Sequence, residues 1–198
     1  MKKLSTLILT LLTLKIFAAN PGTKAPNFTL TNQMNQKVSL EDFRGNYVVL
    51  EWYNFGCPYV RKHYDSQNMQ KTQLEALANE NVVWLSITSS APGKQGHLND
   101  YKHAAQRLKY EKSNAQHMLN DSDGKVGQLY EAKTTPQIVI IDPSGTIQYN
   151  GAIDSIPSAD KADIKKATNY VTTSMASLIK TGKAKPAKTR PYGCSVKY

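Results

Sequence analysis

Tyr47-Val48-Val49-Leu50-Glu51-Trp52-Tyr53-Asn54-Phe55-Gly56-Cys57-Pro58-Tyr59-Val60-Arg61-Lys62 decides how this chain is read. An apolar, β-branched run ends in aromatics, a short turn carries Gly56, and Cys57-Pro58 opens a helix. Proline is favoured at the first helical position, where its missing N–H costs nothing. A thiol at that point faces the unpaired N–H groups and the positive end of the helix dipole, which favour thiolate over thiol. Arg61 and Lys62 lie one turn along and are expected to stabilise the thiolate as well. Since the thiolate is the nucleophile, the pattern predicts a reactive cysteine rather than a small buried hydrophobe.

The chain has 198 residues and two cysteines. The second, Cys194, lies in Arg190-Pro191-Tyr192-Gly193-Cys194-Ser195-Val196-Lys197-Tyr198. Two cysteines allow a single intramolecular pairing, and the compartment decides whether it forms. Lys2 and Lys3 precede an apolar stretch from Leu4 to Leu14, and Ile16-Phe17-Ala18-Ala19 offers small residues for cleavage. That pattern predicts a secretory signal peptide over residues 1–19, too short for a membrane span. An exported bacterial protein, periplasmic or extracellular, is the expectation, with no stable membrane insertion after cleavage. Removing a segment with three lysines and no acid takes the net charge from +10 to +7.

The remaining positive charge is concentrated late. After Asp163 the chain has no carboxylate side chain, while Lys165, Lys166, Lys180, Lys183, Lys185, Lys188, Arg190 and Lys197 follow. Nucleic-acid binding would want aromatics interleaved with a basic stripe on a folded face. Here the lysines alternate with Ala, Pro, Thr and Gly, which predicts no nucleic-acid partner and a solvated basic arm over residues 180–198. That arm is expected to move on and off the domain, with Tyr192, Val196 and Tyr198 offering apolar surface to dock it near Cys57 for part of the time. Residues 20–179 are long enough for one well-buried domain.

Along that domain, Phe28–Leu30 and Val38–Leu40 predict a hairpin around Asn32-Gln33-Met34-Asn35-Gln36. Glu41–Gly45 reads as one helical turn stopped by glycine. Tyr47–Trp52 and Val82–Thr88 read as strands. Pro58 to Ala78 reads as helix, with Val60, Tyr64, Leu74 and Leu77 inward and a break near Asp65–Asn68. His97–Tyr110 reads as helix, Gln116–Leu119 as strand and Asp123–Tyr130 as helix. Thr134–Asp142 is an apolar strand led by Thr-Pro, Asp142-Pro143-Ser144-Gly145 is a turn, and Thr146–Tyr149 returns as its partner. Lys161–Ile179 reads as the last helix. Alternating strands and helices, then a hairpin and a helix, indicate an α/β fold with a mixed sheet.

This order, with a cysteine at a helix start and a later Thr-Pro before a strand, resembles the thioredoxin fold over roughly residues 21 to 175. It is most similar to exported thioredoxin-like and peroxiredoxin-like redoxins of the AhpC/TSA type. The opening Pro21-Gly22-Thr23-Lys24-Ala25-Pro26-Asn27-Phe28 looks like the start of that group. Leu50 to Tyr64, Ser90-Ala91-Pro92-Gly93-Lys94-Gln95-Gly96-His97 and the closing Pro191 to Tyr198 look like a bacterial subfamily of exported redoxin-domain proteins. The resemblance implies a three-layer α/β/α sandwich with a mixed central sheet and an N-terminal β-hairpin.

Two departures bear on activity. Thioredoxins use C-x-x-C, and the position of the second cysteine is here Val60. Peroxiredoxins place Thr or Ser three residues before the reactive cysteine and Pro seven before, where this chain has Asn54 and Leu50. Asn54 could donate to a bound substrate in place of the hydroxyl. The resemblance further implies a cis Thr135–Pro136 bond lying against Cys57, with the backbone of Thr135 free to bind an extended substrate. X–Pro bonds adopt cis cheaply. Glu51 falls where thioredoxins keep a buried carboxylate. Burial would raise its pKa and suit it to moving a proton on or off a thiol, while pairing with Lys or Arg at a strand end is the alternative.

The four histidines are expected on the solvated surface, with no metal site and no cofactor. The reading is therefore thiol-disulfide oxidoreduction by Cys57, with Cys194 on a mobile arm as the resolving thiol, as the resemblance to peroxiredoxins implies. Partners would be protein or small-molecule thiols and disulfides, with peroxide as a further substrate candidate, and a reducing protein. A peroxiredoxin-type peroxidase with antioxidant activity is one rival. The other is a non-catalytic binding domain in which a Cys57–Cys194 disulfide is a structural staple, worth roughly 4–5 kcal/mol for so long a loop.

Overall fold

The structure is a computed structural model describing residues 19–79 and 81–198. The expected signal peptide lies outside the described residues apart from Ala19, and no helix among them is long and apolar enough to cross a membrane. Seven strands form the central sheet in the order β2-β1-β5-β4-β3-β7-β8: Thr29–Thr31 (β1), Lys37–Ser39 (β2), Tyr47–Trp52 (β3), Val82–Thr88 (β4), His117–Asn120 (β5), Gln137–Ile141 (β7) and Ile147–Gly151 (β8). β3 runs parallel to β4 and β4 to β5, while the other pairings are antiparallel, so the sheet is mixed as expected. Thr134–Thr135 (β6) and Cys194–Ser195 (β9) form a second, two-stranded sheet.

The alternation of side chains along β3 builds both layers of core. Val49 and Tyr53 pack under Pro58–Asp65 (α1), Asn68–Leu77 (α2), Tyr101–Glu111 (α3) and Tyr170–Thr181 (α5). Val48, Leu50 and Trp52 face Lys125–Leu129 (α4), the hairpin β1–β2 and the 3-10 turn Leu40–Phe43. Successive parallel crossovers put α1, α2 and α3 on one face, and the reversal after β5 puts α4 on the other. This is the three-layer arrangement of a thioredoxin-like domain.

Three expectations need correction. The break near Asp65 is real: Gln67 adopts a left-handed conformation, φ 63°, between α1 and α2. It resets the helical phase, so Met69, Thr72, Gln73 and Ala76 face inward and Leu74 is 57 % exposed. The last helix is shorter than Lys161–Ile179. A 3-10 turn covers Lys161–Lys165, and α5 starts only where the Asn169 side chain accepts from the N–H groups of Val171 and Thr172.

The third concerns the basic arm, which lies along the domain. Asn150 N–H donates to Ala187 O and Thr189 N–H to Asn150 O, while the Ser174 hydroxyl donates to Pro186 O. Thr189 Oγ1 accepts from Ala152 N–H, and Ala184 is buried. Most of these contacts use main-chain atoms of the arm, so its lysine-rich side-chain pattern conceals them.

Candidate active site

Cys57 is the N-cap of α1 and Pro58 its first residue, the placement the sequence predicts. The sulfur is fully buried, with 0 % of the residue exposed. It donates to the carbonyl of Thr135 at 3.1 Å, across the cis Thr135–Pro136 bond between β6 and β7. The free edge of β6 expected for a substrate is occupied. Thr134 pairs with Ser195 and Thr135 with Cys194 in antiparallel register. Cys194 therefore lies beside Cys57, and both are free thiols.

The acidities of the two sulfurs move apart. Burial pushes the Cys57 thiol up, but the Cys194 S–H, the Thr135 hydroxyl and the N–H groups of Val60 and Cys194 stabilise the thiolate and bring it below its usual value. The buried Thr135 hydroxyl has no hydrogen-bond partner among the described residues, so its O–H is available when charge develops on sulfur. Burial first, then the hydrogen bond to Cys57 and its charge, raise Cys194 to about 11, with Lys197 pulling the other way. One proton shared by two sulfurs explains the split.

Arg61 and Lys62, expected to stabilise the thiolate, have their charged groups committed elsewhere. The Arg61 guanidinium makes two hydrogen bonds to Glu111, at 2.6 and 2.5 Å, and a third to Asp65. Arg107 closes on the same Glu111 carboxylate, which also accepts from Tyr53 at 2.6 Å, so this network ties α1 to α3. Lys62 is 0 % exposed and donates to Asp154 at 3.1 Å and to the carbonyl of Ile156. The donors around Cys57 do the work assigned to these cations.

Asn54 is likewise occupied. Its amide donates to Gln95 O at 3.1 Å and its carbonyl accepts from Gly56 N–H at 2.9 Å, so it braces the turn instead of offering a substrate donor. Gln95 returns a bond to Gly56 O, which places the Ser90–His97 segment over the cysteine turn. Glu51 is fully buried on the Cys57 side of the sheet. Burial raises its pKa, and hydrogen bonds from Trp84, Tyr64, Ser86 and Gln73 offset part of that rise. Among the described residues no Lys or Arg pairs with it, and its donors do not include Cys57.

Sequence reasoning finds Tyr192 only as apolar docking surface and misses the polar partners of its hydroxyl, together with the roles of Gly193, Asp154, Gln95 and Glu111. It also put His63 on the surface, whereas the side chain is fully buried and burial lowers its pKa to about 4. Gly193 was the readable signal. With φ +135°, a Cβ on it would stand 2.1 Å from Thr135 O, so glycine alone lets the tail backbone run this close to β6. Among the described residues, no three His, Cys, Asp or Glu side chains gather as a metal site would require.

A model of the AhpC/TSA family matches residues 21–150. No curated protein matches the chain. Among solved structures, an uncharacterised conserved protein from Geobacillus kaustophilus superposes with a TM-score of 0.72 at 22 % identity, covering 92 % of this chain and 94 % of that one. The thioredoxin domain of a thiol-disulfide oxidoreductase from Bacteroides vulgatus gives a TM-score of 0.53 at 21 % identity, over 74 % and 96 % of the two chains. A peroxidoxin from Mycobacterium tuberculosis gives 0.54 at 14 % identity, over 80 % and 97 %. At these identities the likeness is one of fold.

Proposed function

Because the chain belongs to the AhpC/TSA family, we propose that it is an exported thiol-dependent oxidoreductase in which Cys57 is the nucleophile and Cys194 the resolving thiol. The observation that carries the reading is the pairing of Thr135 with Cys194 directly over the Cys57 sulfur, with the acidities of the two thiols split. The Cys57 thiolate attacks one sulfur of a disulfide R–S–S–R′. A Cys57–S–S–R bond forms, the S–S bond of the substrate breaks, and R′–S⁻ leaves. Cys57 is then neutral, so the charge that held the proton on Cys194 is gone. Cys194 deprotonates and attacks the Cys57 sulfur, R–S⁻ leaves, and a Cys57–Cys194 disulfide remains. Two thiols are oxidised and one substrate disulfide is reduced to two thiols; a reducing dithiol protein would reverse the balance and restore the enzyme.

The basic, apolar N-terminal segment supports export, and the thiol-disulfide oxidoreductase neighbour supports disulfides as the substrate class. Peroxidase chemistry is the second reading, favoured by one feature. With the tail docked and Cys57 fully buried, a small oxidant reaches the sulfur more readily than a polypeptide does. In that case Cys57–S⁻ takes one oxygen from ROOH, giving Cys57–SOH and, after protonation, ROH. Cys194 then displaces water to form the same disulfide.

Mass mapping under non-reducing conditions across a glutathione titration tests the proposal. A reversible Cys57–Cys194 disulfide is expected in the wild type, and a stable mixed disulfide on Cys57 in Cys194→Ser. A Cys57 that reacts with neither disulfide nor alkylating agent in Cys194→Ser would overturn it.

A further inference from the structure

Two residues before Cys194, the half-buried Tyr192 reaches its hydroxyl into a cluster of buried polar side chains. The hydroxyl donates to Asp154 Oδ1, and Lys62 Nζ reaches it at 3.4 Å while also bonding Asp154 Oδ2 and the Ile156 carbonyl. His63 Nε2 lies 3.4 Å from the same hydroxyl. Asn68 Nδ2 is 2.8 Å from His63 Nδ1, and as an amide N–H it donates, which leaves the neutral ring's proton on Nε2, directed at Tyr192. Lys62 and His63 are wholly buried and Asp154 is 3 % exposed. The Tyr192 ring stands edge-on to Tyr59 at 5.9 Å.

Burying a lysine, a histidine and an aspartate together is costly, and such groups contribute less to net stability than to fixing one arrangement over its neighbours. What this cluster fixes is the tail. From Tyr192 the chain passes Gly193, whose lack of a side chain admits it against Thr135 O, and Cys194 then falls opposite Thr135. Beyond it, Val196 N–H donates to Lys133 O, Ala91 N–H to Lys197 O, and the Tyr198 hydroxyl to Ala132 O. A slip of one residue would turn Cys194 away from Cys57.

We propose that Tyr192 is a positioning residue: its hydroxyl, held by Lys62, His63 and Asp154, sets the register of β9, presents Cys194 to Cys57, and keeps the edge of β6 closed to outside polypeptides. The inference rests on the proposed pairing of Cys57 with Cys194. It assigns the latch a measurable quantity, the effective concentration of one thiol at the other.

The test is Tyr192→Phe, which removes the hydroxyl and keeps the ring against Tyr59. The equilibrium of the Cys57–Cys194 disulfide with glutathione should shift toward the reduced form by about tenfold or more, the size of a lost hydrogen bond to a charged group. In a Cys194→Ser background, Tyr192→Phe should also speed the reaction of Cys57 with a peptide-sized mixed disulfide. A role in stability alone would lower the urea midpoint and leave the glutathione equilibrium of the folded protein unmoved. Gly193→Ala attacks the same strand from the backbone side without touching the buried charges, and should give the same two shifts. If the wild-type disulfide forms and Tyr192→Phe leaves its equilibrium unchanged, the latch is refuted, whatever Gly193→Ala does, and the proposed function stands. If no Cys57–Cys194 disulfide forms at any glutathione poise, that pairing and the latch built on it are both refuted.

Discussion

Replacing Asp154 by Asn is the sharpest single test of how the buried cluster is held together. The Lys62 ammonium and the Asp154 carboxylate are 3.1 Å apart, with side chains 0 % and 3 % exposed. Asparagine can keep an oxygen for the Tyr192 hydroxyl and the Ile156 N–H, but it then turns an NH2 donor toward the Lys62 ammonium, so both the charge and the acceptor opposite a buried cation are lost. Removing one partner of a buried ion pair costs about 3–5 kcal/mol. The bonds kept at the Oδ1 position and the loss of only one charge set the expected cost of Asp154→Asn at about 3 kcal/mol or more, against a total stability of about 5–15 kcal/mol for a typical domain. For a domain of this size that is a fall in melting temperature of about 6–12 °C.

The double variant Lys62→Met/Asp154→Asn separates charge from packing. Methionine fills the lysine stem's space and leaves no cation in need of a partner, so the double should lie within about 1 kcal/mol of the wild type. Urea unfolding of the reduced protein gives all four corners of the cycle, with a coupling energy of about 2 kcal/mol or more expected between the two sites. A loss below about 1 kcal/mol in Asp154→Asn, or a double variant as unstable as the sum of the singles, would refute the reasoning. Either result would mean that water reaches the pair.

Three further outcomes follow from the site. The pH midpoint of Cys57 alkylation should lie below that of a free thiol in the wild type and move up in Cys194→Ala, since that substitution removes the strongest donor to the thiolate; Cys194→Ser, which keeps an O–H, should fall between, and coincident profiles would exclude the shared proton. Glu51 has its pKa raised by burial, so the folded state binds its proton more tightly than the unfolded state does. Wild-type stability should therefore fall relative to Glu51→Gln as pH climbs from about 4.5 to the raised value and run parallel below that window, a difference that paired urea titrations read directly. Oxidation of Cys57 by hydrogen peroxide should be slow, because the Asn54 amide is bound to Gln95 O; stopped-flow detection of fast, saturating sulfenic acid formation at micromolar peroxide would favour the peroxidase reading.

The parts of this molecule that could be read in the sequence are those whose cause is local. β3 followed by Cys57-Pro58 carries strand, turn and helix start within sixteen consecutive residues, and each element obeys its own propensity. The parts that could not be read depend on partners far along the chain. Lys62 and His63 look like the solvated side of α1 until Asp154, 92 residues away, is folded against them. Arg61 shows the same effect through Glu111, 50 residues on. In both cases a cation adjacent in sequence to a thiol was assigned to it, when a carboxylate elsewhere bound it more strongly. The extent of the tail's docking, of which the sequence shows only the apolar anchors Tyr192, Val196 and Tyr198, is hidden for a different reason. The tail's other side chains are those of a solvated linker, but docking depends on main-chain hydrogen bonds, which every residue except proline can donate and all can accept. Beyond those anchors, only Gly193 and the Tyr192 hydroxyl carried a trace of it: a residue with no side chain, required by the backbone of Thr135, and an aromatic hydroxyl placed to meet buried charge. Glycine directly before a terminal cysteine, with tyrosine before the glycine, is thus a pattern that predicts a docked tail rather than a free one, and the Gly193→Ala and Tyr192→Phe measurements test that rule in this chain.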